Sequence, residues 1–306
     1  MGKFSSYRFC FKLIYLIVLI PKKASFLKCN INNKEKISNL LKNNKFDSVI
    51  HFAAFIKVEE SVKNPSKYFK NNRDNAIDFF ETCFENKLKN FIFSSTAAVY
   101  GNQKNNLPIS EKANLNPTNP YGKSKLDVEN YLLKNSDRFN YIILRYFNVA
   151  GADPELRSGL ISKKSSHLIK IASEVAIGKR KKITIYGNDY KTFDGTAVRD
   201  YIHVSDLADI HINILNFLKK NKVSNIFNCG YGKGYSVKEV IDAANNITNG
   251  SIKYEYGKRR LGDSEILISD VSKLNNLINW EPKYNNLNVI LKTAIDWEKK
   301  INEKNF

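Results

Sequence analysis

The run NPTNPYGKSKLDVENYLL (Asn116–Leu133) lies between two apolar runs, NFIFSSTAAVYG (Asn90–Gly101) before it and YIILRYFNVAGA (Tyr141–Ala152) after it. The central run has helical spacing. The flanking runs are short, rich in Ile, Phe and Tyr, and end in hydroxyl-bearing or small residues. Strand, helix, strand is the unit of a parallel sheet. Working outward, DSVIHFAAF (Asp47–Phe55) reads as a strand entering a loop of small residues. NKEKISNLLKNN (Asn33–Asn44) and NNRDNAIDFFETCFENK (Asn71–Lys87) read as helices. YLIVLI (Tyr15–Ile20) and FLKCNI (Phe26–Ile31) read as further strands. The fold class is α/β: a Rossmann-type parallel sheet with helices on both faces. Past Ala152 the loops lengthen and short strands mix with helices, which places a smaller α+β unit there. The expected division is 1–149 and 150–306, with about 198–220 packing back on the first unit.

Open parallel sheets bind ligands beyond the carboxyl ends of their strands. The residues with functional character fall at those ends: Phe52–Ala54, Ser94–Thr96 and Tyr146–Asn148. Tyr121 and Lys125 are four apart in the central helix, so both lie on one helix face. A phenol ionises near pH 10, and a cation within a few ångström favours phenolate. Such a pair can take a proton from a sugar hydroxyl. A YxxxK pair alone also fits a solvated helix surface; the rest of the chain decides between the two.

Lys+Arg outnumber Asp+Glu 49 to 30, a net charge of +19. The lysines are spread along a chain also rich in Asn, Ile and Phe, without a compact basic block, so no nucleic-acid partner is expected. The positive field would help attract a diphosphate. Cys10, Cys29, Cys83 and Cys229 form no CxxC pair, and His51, His167, His203 and His211 have no metal-ligand spacing. No metal site is expected, and free thiols fit the reducing cytoplasm. The apolar run Phe9–Pro21 is broken by Lys12 and too short to span a bilayer, so no membrane partner is expected. Gly2 and Ser6 fit a permissive lipidation pattern, read as incidental.

Several strings in order resemble the extended short-chain dehydrogenase/reductase superfamily and, within it, the UDP-glucose 4-epimerase branch. They are HFAAFIKVEESVKNPSKYFKNN (His51–Asn72), FSSTAAVYG (Phe93–Gly101), PTNPYGKSK (Pro117–Lys125), LRYFNVAGA (Leu144–Ala152), GNDYKTFDGTAVRDYIHVSDLADIH (Gly187–His211) and KRRLGDSEILISDVSKLNNLINWEPKY (Lys258–Tyr284). The resemblance implies an NAD-binding first domain and a UDP-sugar-binding second domain, in a homodimer. It casts Tyr121 as the base at the sugar 4-hydroxyl, Lys125 as the ribose-holding cation, and Thr96 as the bridge between hydroxyl and phenol. It assigns the cofactor to Asn30, Ile31, Phe52, Ala53, Ala54, Asn71, Ser94, Tyr121, Lys125 and Tyr146. The substrate falls to Thr96, Asn148, His167, Leu168, Thr184, Tyr186, Arg199, Arg260 and Asp263, with Leu267 beside the sugar, where a larger residue would exclude N-acetyl groups. Arginine forks suit a diphosphate, and a carboxylate accepts from ribose hydroxyls.

The beginning of the chain departs from this pattern. The superfamily opens on a strand and a GxxGxxG turn that brings the NAD pyrophosphate to a helix N-terminus. Here Gly2 is followed by no glycine until Gly101. Lys22 and Lys23 follow YLIVLI where an acidic ribose ligand belongs, and Asn30 stands where aspartate is usual. The first strand and turn read as missing, from a shortened or altered start. Two alternatives to a UDP-glucose/UDP-galactose epimerase follow. One is a UDP-N-acetylglucosamine 4-epimerase; the other is a non-catalytic or decayed binding remnant. Retention of Thr96, Tyr121 and Lys125 argues for the enzyme. Ala97 and Ala98 after Thr96 argue against a dehydratase, which would carry an acidic pair there.

Overall fold

The computed structural model describes residues 23–103, 108–162, 165–250, 252–260 and 263–303. Tyr15–Ile20, Cys10 and the Gly2–Ser6 pattern lie outside them. Phe26–Ile31, expected as a strand, is irregular and closes in a turn, with Phe26 and Leu27 facing solvent. An extended run becomes a strand only when a neighbour satisfies its backbone groups. Among the described residues this run pairs with no strand.

In chain order the first half runs α1 (Lys34–Asn43), β1 (Val49–His51), α2 (Val58–Lys63), α3 (Pro65–Tyr68), a π-helical turn (Phe69–Asp74), α4 (Asn75–Glu85), β2 (Asn90–Thr96), α5 (Pro120–Lys134) and β3 (Asn140–Tyr146). Then follow β4 (Asn148–Ala150), α6 (Leu168–Ala176), β5 (Ile183–Tyr186), β6 (Val198–His203), α7 (Val204–Asn221), β7 (Asn225–Cys229) and β8 (Gly234–Ser236). The chain closes with α8 (Val237–Ile247), β9 (Tyr254–Gly257), β10 (Ile266–Leu267), α9 (Ser272–Leu277) and α10 (Leu287–Glu303).

The main sheet has the order β1-β2-β3-β7, every pair parallel. Successive side chains of a strand point to opposite faces, and β2 uses both. Phe91 and Phe93 join Phe80, Val128 and Leu132 from α4 and α5 on one face. Ile92 joins Ile142, Leu144, and Ile210, Ile214 and Leu218 from α7 on the other. The sheet is therefore buried on both faces, as an all-parallel sheet requires. A second sheet runs β10-β6-β4, with β8 antiparallel on β6, and β5 pairs with β9. Beside it α6, α8 and α10 enclose a second core around Ile183, Ile185 and Tyr201.

The register aligns the strand tips. Thr96 pairs with Tyr146, and Tyr146 with Cys229, so the chemistry-bearing ends of β2 and β3 stop at one level. The central helix begins four residues later than the run that announces it. Pro117 and Pro120 bias the residues before them to extended backbone. Asn119 is extended (φ −147°, ψ 157°) and caps α5, its side chain accepting from the Gly122 N–H at 2.9 Å.

Ile142 sits at the sheet centre with no exposed surface, whereas Ile212 on α7 is 59% exposed. Ile142→Ala should cost about 2–5 kcal/mol by the lost contacts and the cavity left. Ile212→Ala should change stability by no more than about 0.5 kcal/mol. Denaturant titration of both variants checks this, and equal losses would contradict the two-faced packing.

Candidate active site

Three consecutive residues of β2 organise the site. The Ser94 carbonyl accepts from Lys125 Nζ at 2.7 Å. Ser95 Oγ donates to Glu129. Thr96 and Tyr121 line one cleft, and the Thr96 side chain acts on the phenol. Tyr121, Lys125 and Glu129 recur every four residues of α5, so one helix face meets one strand end. The approach is close because Gly122 lacks a side chain. A Cβ there would stand 2.6 Å from the Ala98 carbonyl oxygen, in the turn that continues β2.

The electrostatics correct the simple expectation of a phenol activated by a neighbouring ammonium. Burial raises the Tyr121 pKa above its ordinary value, with the Thr96 side chain pulling the other way. Burial lowers that of Lys125 to about 7, with the negative charge of Glu129 opposing it. Only 2% of Lys125 is exposed, and its ammonium lies 4.8 Å from the centre of the Phe93 ring. Removing both groups from water disfavours both charged forms. Among the described residues Lys125 has no ion-pair partner. Phenolate therefore needs positive charge beyond what these residues provide.

A cleft of about 790 Å³ opens over this face. Thr96, Tyr121, Tyr146 and Asn148 form its wall at the main sheet. His167 and Leu168 enter from the start of α6, Thr184 and Tyr186 from β5. Arg199, Arg260 and Asp263 complete the far side. The Arg260 guanidinium stacks 3.8 Å from the centre of the Tyr186 ring. Among the described residues, two buried polar atoms of this lining have no hydrogen-bond partner, Arg260 Nε and His167 Nε2. Burial lowers the His167 pKa to about 4, so the ring is neutral near pH 7. The site thus holds one unused donor and one unused acceptor.

Leu267 departs from expectation. It pairs in register with Arg199 on β6, and its side chain packs against the cluster of Ala97, Tyr100, Leu126 and Phe147 rather than lining the cleft.

The residues assigned to the cofactor occupy the adjoining strand tips. Phe52 and Ala53 are exposed just past β1, and Ala54 is half-buried. The Phe52 ring lies tilted against His211, with ring centres 5.1 Å apart. His211 Nδ1 must donate to the Leu207 carbonyl at 2.8 Å, which leaves Nε2 to accept from the Tyr146 hydroxyl at 2.6 Å. Asn71 lies in the π-helical turn and donates to Asn72 at 2.9 Å. Asn30 and Ile31 sit in the turn before α1, separate from the cleft.

A family model described as NAD dependent epimerase/dehydratase matches residues 6–230. The chain belongs to the NAD dependent epimerase/dehydratase family. A UDP-glucose 4-epimerase from Halalkalibacterium halodurans is 41% identical over 278 residues, covering 90% of this chain and 83% of the relative. The solved UDP-Glc/GlcNAc 4-epimerase of Campylobacter jejuni is 45% identical, with a TM-score of 0.80 over 94% of this chain and 88% of its own. The Bifidobacterium longum UDP-glucose 4-epimerase, solved with NAD+ and UDP, is 34% identical, with a TM-score of 0.87 over 96% and 88%.

NAD is this family's cofactor, and the nicotinamide side fits it. A buried ammonium lacking an ion-pair partner, a half-buried phenol and the exposed small residue Ala53 meet at the strand tips. Residues from Phe52 to Ala54, with Ser94, Lys125 and Tyr146, would hold it. Sequence reasoning missed what stiffens this side. Buried Asn72 brackets Phe55, accepting from its N–H at 2.8 Å and donating to its carbonyl at 2.9 Å. Tyr68 does the same for Lys57, at 3.0 and 2.7 Å, and stands edge-on to Tyr121. Both sit in a polar run with helical spacing, which carries no mark of what its buried members bond.

The Lys125 pKa gives a stability signature. Unfolded, the ammonium ionises near 10.4; folded, near 7. Between those values the unfolded chain binds more protons here, so this group makes stability rise with pH across that window. Below about pH 7 its penalty is fully present. The denaturant midpoint of the ligand-free protein should therefore climb from pH 7 to 9.5 more steeply than that of Lys125→Met. Parallel curves would contradict the buried ammonium.

Proposed function

We propose that the protein is a UDP-glucose 4-epimerase, interconverting UDP-glucose and UDP-galactose through a 4-keto sugar with NAD retained. The observation that carries this reading is the convergence of Thr96, Tyr121, Arg199 and Arg260 on one cleft. The similarity to epimerases along about nine-tenths of the chain supports it. Bound NAD supplies reversible hydride acceptance at sugar C4, together with the positive charge that phenolate formation needs. Tyr121 removes the proton of the 4-hydroxyl, with Thr96 holding both oxygens in line. Lys125, fixed to the Ser94 carbonyl, stabilises the phenolate and holds the cofactor ribose. Arg260 and Arg199 hold the diphosphate while the keto sugar turns to present its other face. Tyr121 then returns the proton, and no net oxidation results. His167 offers its free Nε2 to a substrate donor.

A homodimer through α4 and α5 and a cytoplasmic setting belong to the same reading. The buried, unpaired thiols of Cys83 and Cys229 support a reducing compartment. The similar C. jejuni enzyme is named for UDP-Glc and UDP-GlcNAc, which favours UDP-N-acetylglucosamine as a second substrate here.

Incubation of the NAD-loaded protein with UDP-galactose should yield UDP-glucose without accumulating NADH. Turnover confined to other UDP-sugars would overturn the assignment. Tyr121→Phe should lower kcat by about 10²–10⁴-fold while leaving UDP-sugar affinity nearly intact. Near-native turnover would remove Tyr121 as the base. Because Leu267 packs outside the cleft, Leu267→Tyr should leave the ratio of UDP-N-acetylglucosamine to UDP-glucose turnover unchanged; a reduced ratio would return Leu267 to the sugar pocket.

A further inference from the structure

Behind the tyrosine and lysine lies a buried ion pair that the reaction as derived does not use. Glu129 follows Lys125 by one helical turn and has no exposed surface; Arg145, on β3, is 1% exposed. Arg145 Nη2 donates to Glu129 Oε2 at 2.6 Å, and its Nε lies 3.1 and 3.2 Å from the two carboxylate oxygens. The remaining donor edge of Arg145 reaches the Tyr100 hydroxyl at 3.0 Å and the Glu111 carbonyl at 3.2 Å. Tyr100 in turn donates to Asn228 on β7 at 2.6 Å. Ser95 Oγ supplies a further donor to the carboxylate. That bond ties Glu129 to the residue between the one that holds Lys125 and the one that holds Tyr121.

A buried ion pair is a weak source of stability, because desolvating both charges offsets their attraction. Its placement here serves the ammonium in front of it. The other titratable groups around Lys125 and Tyr121 are His51 from β1, Tyr68 from α3 and Tyr146 from β3. Burial keeps all three neutral near pH 7. Asp127, Lys123 and Arg73 pair with one another on the solvent side of α5. Among the described residues, Glu129 is thus the carboxylate that acts on Lys125.

We propose that Glu129, held by Ser95 and partly neutralised by Arg145, is a positioning residue that keeps Lys125 charged behind Tyr121. The role of that charge rests on the epimerase reading; the charge itself does not. Arg145 sets the strength of the device. It offsets part of the carboxylate field, so that Lys125 stays ionisable close to neutral pH.

The two members of the pair must act on Lys125 in opposite directions. Selective ¹³C labelling of lysine Cε, with Lys125→Met identifying the resonance, follows the Lys125 titration by NMR without substrate. Glu129→Gln should lower its midpoint by about one pH unit, and Arg145→Met should raise it by a similar amount. Ser95→Ala, which keeps the charge, should leave the midpoint in place. Opposite shifts support the proposal, and either charge variant that retains the fold decides alone. An unmoved midpoint, shifts of the same sign, or a Ser95→Ala shift as large as that of Glu129→Gln would overturn it. The pH profile of kcat/KM on UDP-galactose forms the second arm. Glu129→Gln should move its acid limb upward and its alkaline limb downward. NMR shifts without UDP-sugar turnover would leave the proposal standing and defeat the functional reading. Turnover with an unmoved Lys125 midpoint would do the reverse.

Discussion

The bond from Lys125 Nζ to the Ser94 carbonyl is the constraint around which the site is built. An ammonium taken out of water must have an acceptor, and the Ser94 carbonyl near the end of β2 supplies it. The bond fixes the face of α5 against the end of β2. Tyr121 then meets Thr96 one turn earlier on the helix, and Glu129 meets Ser95 one turn later. A rotation of α5 by one residue, about 100°, would break all three contacts together. The asparagine cap, the proline after it and the missing Cβ of Gly122 all act to set where α5 begins.

That arrangement carries a cost that bears on function. Lys125 and Tyr121 are both held in conditions that favour their neutral forms. A permanently ionised pair would be easier to bury if the two groups touched, but the lysine is committed to a backbone carbonyl. The phenol consequently stays protonated until positive charge arrives beside it. On the proposed function, the bound cofactor would supply that charge, so binding and activation would be coupled.

The main sheet was legible because a parallel sheet buried on both faces leaves short, continuous apolar runs, and β2 and β3 are such runs. The α5 helix was legible from its spacing; its later start, set by the prolines and the Asn119 cap, came from the structure. Phe26–Ile31 was misread because composition reports the preference for extended backbone but not the presence of a neighbour. At the site, Thr96, Tyr121 and the arginines could be named from residue type, order and resemblance. Leu267 could not be resolved, since a strand residue two places along is either lining or core, depending on a register the sequence does not carry. Glu129 and Arg145 went unnoticed for a related reason. Charged residues in an amphipathic helix and a strand look like solvated positions until the structure shows them sealed against each other.

The two arginines show how burial separates structure from binding. Arg145 is enclosed, with five donor contacts to Glu129, Tyr100 and the Glu111 backbone, so exchanging its partner would leave a buried carboxylate uncompensated. Arg260 stands at the cleft with its Nε unpartnered, its guanidinium on the Tyr186 ring, and the exposed Glu59 4.0 Å away. An ion pair with an exposed partner at that distance is worth little, on the order of 0–1 kcal/mol. On the proposed function, a diphosphate would displace Glu59 at small cost, while the Tyr186 ring holds the guanidinium at the cleft. Glu59 lies at the start of α2 and Arg260 in the loop before β10, so the exchange occurs where the two halves of the chain meet. On the proposed reading, binding there would replace a weak contact between the halves and leave the buried ion pair behind Tyr121 in place.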